Sequence, residues 1–156
     1  MLEAARLSTM KFVLDQINIL KALTQTQIDY VDFDDHPDIQ SLPPRDIIGL
    51  SGLSITDATG QFDLSFGVAI MCQNDGSIFN LTQYASQIFN SLIGQKTFPV
   101  YRPGATTLTP IGVVTIFAGT TVMPTARSEA RPMTVVQASG RLVMTPGASG
   151  RLVLSA

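Results

Sequence analysis

The stretch Phe62–Ile93, FDLSFGVAIMCQNDGSIFNLTQYASQIFNSLI, decides the fold. Phe62, Leu64, Phe66, Val68, Ile70 and Cys72 alternate with Asp63, Ser65, Gly67, Ala69 and Met71. Period two predicts a strand with one face buried. Asp75-Gly76 then signals a tight turn. Beyond it Ile78, Leu81, Ala85, Ile88, Phe89 and Leu92 recur at steps of three and four, which places them on one side of a helix capped by Gly94. The opposite face holds Asn80, Thr82, Gln83, Ser86, Gln87, Asn90 and Ser91, and no Lys, Arg, Asp or Glu occurs from Gly76 to Gln95. Charges are harder to desolvate than amides and hydroxyls, so an uncharged polar face suits contact with another protein surface. The stretch predicts a chain that assembles.

Working outward, residues 2–23 read as a helix with Leu7, Met10, Leu14, Ile17 and Leu20 on its buried side. A loop follows, YVDFDDHPDIQSLPPRD, in which Pro37, Pro43 and Pro44 forbid regular structure over much of its length. Its cluster of Asp32, Asp34, Asp35, His36 and Asp38 offers carboxylates to a hard cation, but lacks the Gly turn and distal Glu of an EF-hand. A solvated loop or an interface patch is the competing reading. Residues 47–57 form a strand that pairs with the central one as an antiparallel hairpin. Residues 98–110 read as a Pro-punctuated connection. Residues 111–118, IGVVTIFA, are apolar at both parities, which predicts a strand covered on both sides. The segment 119–132 reads as an exposed loop. Residues 133–144 alternate again, with Val136, Ala138, Leu142 and Met144 on one face and Gln137, Ser139 and Arg141 on the other.

The end of the chain repeats itself: SGRLVM at 139–144 returns as SGRLVL at 149–154. Thr145-Pro-Gly-Ala148 interrupts pairing between the copies. The second copy either folds back, reaches the sheet edge of a neighbour, or frays. The expected fold is therefore α+β: a mainly antiparallel sheet flanked by an N-terminal helix and one central helix. Residues 1–145 form a single domain and residues 146–156 a C-terminal arm.

Composition narrows the function. Charged residues make up 14% of the 156 residues, against about 25% in ordinary soluble domains, so large parts of the surface are expected to be covered by partners. Net charge is −2, but unevenly laid out: +1 over residues 1–28, −8 over 29–75 with nine Asp against one Arg, and +5 over 96–156. Acidic and basic surfaces of successive copies can meet head to tail in a ring, although a solvated loop and scattered arginines explain the same pattern. No apolar run reaches the roughly 18 residues of a membrane span, and the N-terminus lacks the pattern of a signal peptide. The single cysteine, Cys72, excludes an internal disulfide and reads as a small core residue. There is no phosphate-binding glycine loop, dinucleotide fingerprint or Gly-x-Ser-x-Gly motif. No catalytic residue, metal ligand or cofactor is expected.

The strand Phe62–Cys72, the helix Ser77–Ile93 and the closing strands from Ile111 to Ala118 and from Arg131-Pro-Met-Thr-Val-Val136 follow an N-terminal helix and an acidic loop. This order of elements over residues 1–145 resembles the tail terminator (tail completion) proteins of long-tailed bacteriophages. The resemblance implies a virion protein, assembled in the host cytoplasm, whose six-membered ring caps the tail tube, stops its growth and docks it to the head–neck proteins. Its partners would be itself, the tail-tube protein and the head–tail connector, with DNA passing through the lumen unread. The SGRLV repeat departs from the family pattern. On this reading Asn80, Gln83, Gln87, Asn90, Arg141, Arg151, Leu152 and Leu154 lie at subunit interfaces. Asp32, Asp34, Asp35, Arg127 and Arg131 face the lumen or an axial neighbour. Alternatives are another neck or tail protein (head–tail adaptor, tube or tail-initiation protein), or a small metal-dependent enzyme or binding domain built on the acidic loop.

Overall fold

In the computed structural model the described residues are 2–35, 42–59, 61–73, 77–104, 109–128 and 131–145. Helix α1 (Leu2–Thr24) opens the chain and α2 (Ile78–Leu92) lies at its centre. Eight strands run in order: β1 (Ile28–Tyr30), β2 (Asp46–Asp57), β3 (Phe62–Met71), β4 (Thr97–Tyr101), β5 (Pro110–Ile116), β6 (Thr121–Val122), β7 (Ala126–Ser128) and β8 (Arg131–Met144). They form one curled sheet in the order β1-β2-β3-β8-β5-β4, with β6 and β7 also paired to β8. All pairs are antiparallel except β1 with β2. The fold is α+β, as the periodicities predict.

The central hairpin forms as expected, with Asp57 opposite Phe62 and Ile47 opposite Met71. Strand β8 lies along the other side of β3, from Leu142 opposite Phe62 to Met133 opposite Met71. Both helices pack on one face of the sheet. There Ile48, Leu50, Leu64, Phe66, Val68, Ile70, Val136 and Leu142 meet Val13, Ile17 and Leu20 of α1 and Leu81, Tyr84, Ile88 and Leu92 of α2. Helix α2 is capped by Ser77, whose hydroxyl accepts from the Phe79 amide, and Gly94 follows its last turn at φ 78°.

Several expectations need correction. Strand β3 is buried on one face only over its first half. At Ala69 and Met71 the second parity is buried too, because Met71 joins Ile47, Val31 and Leu42 in a small cluster on the other side of the sheet. The acidic segment contributes a short parallel strand, β1, and a 3-10 turn, Phe33–Asp35, and these cover that side. The 98–110 connection contains β4, and the 119–132 loop contains β6 and β7. Strands β6 and β7 are too short to carry an alternation, whereas β4 alternates across its proline, with Phe98 and Val100 buried; β6 and β7 pair with β8, and β4 with β5. Strand β5 is covered on one face, with Val113 exposed on the other.

Helix α1 buries Ile17 and Leu20 as expected and packs Met10 against the core, but its first half differs at two leucines. Leu7 and Leu14 are 45% and 39% exposed, while Ala4, Ala5, Ser8, Thr9 and Val13 face inward. Small side chains let this helix lie close to the sheet. Ser8 Oγ accepts the Tyr101 amide at 2.9 Å, and Thr9 Oγ1 donates to the Ala5 carbonyl at 2.7 Å. The hydroxyls satisfy their hydrogen bonds on the way in, so their burial carries no large penalty. In α2, Ile78 is exposed rather than buried, and Tyr84 joins the core instead.

Candidate self-association surface

The outer face of α2 is built by one helical row. Phe79, Gln83, Ser86 and Asn90 are spaced by four, three and four residues and therefore stack on one side. All four are exposed, and Phe79 is 76% exposed. Ile93 extends the row beyond the last turn and is exposed as well. Among these five there is no charge to strip of water. Phe79 and the adjacent Ile78, 48% exposed, make one end of this face apolar, and such adjoining exposed apolar surface is what a partner can bury. Beside the row runs an apolar groove of about 250 Å³ between α2 and β6, lined by Leu81, Ala85, Phe89, Val122, Thr125 and Thr134.

Not every residue expected at the interface lies on this face. Gln83 and Asn90 do. Asn80 is half-buried at its border. Gln87 turns toward α1, where its Nε2 donates to Gln16 Oε1 at 3.2 Å, so it ties the two helices together. Arg141 lies far away on β8, bonded to Asp63 at 3.1 Å and standing over the Phe117 ring at 5.5 Å. Arg151, Leu152 and Leu154 lie outside the described residues. The periodicity missed Phe79, although its position one helical row from Gln83 was visible in the sequence.

The residues assigned to a lumen or axial contact divide likewise. Asp32 is half-buried and Asp34 exposed, and both are bonded to other parts of the chain. Arg6 on α1 donates to Asp32 at 3.0 Å and to Asp34 at 3.3 Å. The Asp32 carboxylate accepts the Asp34 amide, and Asp34 accepts the Gly52 amide at 2.8 Å. Partial burial opposes the charge of Arg6, but the two carboxylates outweigh it and raise its pKa. These carboxylates fasten the acidic segment to α1 and β2. Asp35 and Arg127 are exposed. Among the described residues no three His, Cys, Asp or Glu side chains converge on a point where a metal ion would sit; His36 and Asp38 lie outside them.

Arg131 is the largest correction. It is 5% exposed, not surface-facing. Its Nε donates to the Cys72 carbonyl at 2.8 Å, Nη1 to the Pro43 carbonyl at 2.8 Å and Nη2 to the Arg45 carbonyl at 2.6 Å. Burial lowers its pKa, and the nearby Asp46 works in the opposite sense. Asp46 is itself buried, accepting the Tyr84 hydroxyl and the Gln73 amide, each at 2.8 Å. This cluster joins β2, β3, β8 and α2 at one corner of the sheet. It ties these four elements together.

No family model matches the chain, and no curated protein matches it either. No helix among the described residues is long and apolar enough to cross a membrane.

Proposed function

We propose that this chain is a structural subunit that assembles with copies of itself into a ring. The observation that carries the reading is the uncharged row Phe79, Gln83, Ser86, Asn90 and Ile93 on the exposed side of α2. A closed ring needs two unlike surfaces that meet each other. The outer side of α1, where Leu7 and Leu14 are exposed beside the Lys11–Asp15 ion pair, supplies a second surface distinct from the first. The charge difference between the acidic first half and the basic last third of the chain favours head-to-tail over head-to-head meeting.

The particular ring we propose is the terminator of a long phage tail, capping the tube and docking it to the head–neck proteins, with DNA passing through unread. What supports it is the order of elements: helix, acidic segment, hairpin, helix and closing strands. Its role is then mechanical rather than catalytic.

Light scattering and electron microscopy of the purified chain test the reading. A closed ring, six-membered if the tail assignment holds, is the expected result; a strict monomer that also ignores tail tubes overturns it. The double variant Gln83→Glu/Asn90→Asp places charge on the proposed contact. It should lose the ring while its thermal unfolding stays within about 0.5 kcal/mol of the parent, as for surface changes. Normal assembly of that variant would remove the α2 face from the interface.

A further inference from the structure

We infer that residues 149–154 of one copy add as an extra strand to the open edge of β2 in a second copy. The inference goes beyond the ring reading, since it requires a second copy but no closed assembly. It begins with the two edges of the sheet. At one edge, β4 is closed to a further strand. Ile116 donates to the Lys96 carbonyl, which fixes the phase of the β4–β5 ladder and turns Thr97, Pro99 and Tyr101 outward. Pro99 has no N–H, and the Tyr101 amide is already bonded to Ser8.

The other edge is only half covered. Strand β1 pairs with Asp46, Ile47 and Ile48 alone. Beyond them, a bulge between Ser51 and Ser54 places Gly52 at φ 67° with its amide on Asp34. Residues 53–57 then run on with β3 on one side and, among the described residues, no strand on the other. Ala58 and Gln61 exchange both backbone bonds at the hairpin turn. Counting back, Thr56 and Ser54 face β3, and Ile55 and Asp57 turn their N–H and C=O groups outward. Leu53, Ile55 and Phe62 are only half-buried at this rim of the core. The edge thus offers backbone donors and acceptors together with an apolar strip, the two elements of recognition by strand addition.

The occupant is indicated by the repeat. SGRLVM at 139–144 is a strand in the middle of the sheet, with Leu142 fully buried and Arg141 and Val143 on the opposite face. The same alternation in SGRLVL sets Leu152 and Leu154 on one face, suited to cover Leu53 and Ile55. Length decides between the chain's own edge and a neighbour's. Strands β8 and β2 are both antiparallel to β3, so the chain leaves β8 at Thr145 on the same end of the sheet as the β2–β3 turn. Reaching its own edge means crossing β3 and β2 and settling one spacing beyond, about 14 Å at about 4.8 Å per strand. The step from Thr145 to Ser149 spans at most about 14 Å when fully extended, which leaves nothing for the reversal of direction. A second copy carries no such restriction.

Two full-length chains, both Cys72→Ala, one with Ile55→Cys and the other with Leu152→Cys or Leu154→Cys, are mixed and oxidised. A disulfide-linked two-chain product that needs both variants is expected. In the unmodified chain the Ile55 and Asp57 amides should be protected from hydrogen exchange at high concentration, and lose that protection on dilution or in Leu152→Pro. Failure to cross-link together with fast exchange at Ile55 and Asp57 overturns the inference. So does protection that is independent of concentration, which would mean pairing within one chain. Mass measured on the same samples separates the two readings: a ring without cross-link or protection leaves the ring standing and removes the arm, and a cross-linked dimer without a ring does the reverse.

Discussion

Arg131 shows how far a residue's type can mislead about its place. An arginine between Pro and acidic loop residues reads as surface, yet it anchors three carbonyls from two segments. Arg131→Met removes those bonds and strands the carbonyls of Pro43, Arg45 and Cys72. The chain should lose about 3 kcal/mol in urea unfolding, at the lower end of what breaking a buried charged contact costs. Tyr84→Phe removes one of two donors to the buried Asp46 carboxylate and should cost about 1–3 kcal/mol. Cys72 gives a pH prediction. Burial, then the nearby Asp46, pushes its thiol from 9.0 up to about 12. Burial, then Asp32, pushes Tyr30 from 10.0 up to about 12. Both groups hold their proton more tightly when folded, so their contribution is complete below pH 9 and is lost as pH rises toward 12. Urea unfolding across that window should show stability falling by at most about 1.4 kcal/mol per pH unit for each group. Cys72 should also resist thiol reagents at pH 8 until the chain unfolds.

Among the elements, close approaches of backbone to backbone decide where strands can lie. At Gly49 a Cβ would sit 1.5 Å from the Val31 carbonyl oxygen, since the end of β1 presses directly on β2. The parallel β1–β2 contact exists only because that position has no side chain. Gly49→Ala should detach β1 with its acidic turn and cost about 3 kcal/mol or more. The measurable sign is loss of exchange protection at Val31, whose amide bonds Ile48. Gly140 plays the corresponding part between β8 and β5, where a Cβ would meet the Thr115 carbonyl oxygen at 2.5 Å. The first half of helix α1 obeys the same rule from the other side: Ala5, Ser8 and Thr9 face the sheet because bulk would hold the helix away, and Leu7 and Leu14 are left partly outside while Leu20, further along the helix, is buried.

At the scale of the whole molecule, two helices cover one face of the sheet, and the acidic segment covers part of the other. Among the described residues, exposed apolar side chains lie on the α2 row, on the outer side of α1 and, with Val113 and Val143, on the far face of β5 and β8, and the β2 edge beyond Ser51 pairs with no further strand. The charge layout, −8 over residues 29–75 and +5 over residues 96–156, lies mainly on strands and their connections, while α2 carries none. If the α2 face is the contact, association of the full chain should therefore be only weakly weakened by salt, whereas a head-to-tail contact through the acidic and basic segments should weaken steeply. Sedimentation across a salt series distinguishes these two forms of ring.

The sequence by itself determined the elements whose pattern is local. Phe62–Met71 alternates, Ile78–Leu92 keeps a helical step, and the 47–57 and 133–144 runs carry enough apolar residues at one parity to be strands wherever they lie. The uncharged side of α2 was legible for the same reason, because no fold can supply a charge the segment does not contain. The tertiary structure decided whatever depends on a partner distant in sequence. Strands β1, β6 and β7 exist because a neighbour offers hydrogen bonds; α1 turned its small side chains inward because the sheet lies close; and Asp32, Asp34 and Arg131 became internal ties because Arg6 and three distant carbonyls were brought to them. Periodicity records burial along one element, whereas pairing and close approach arise only when two elements meet.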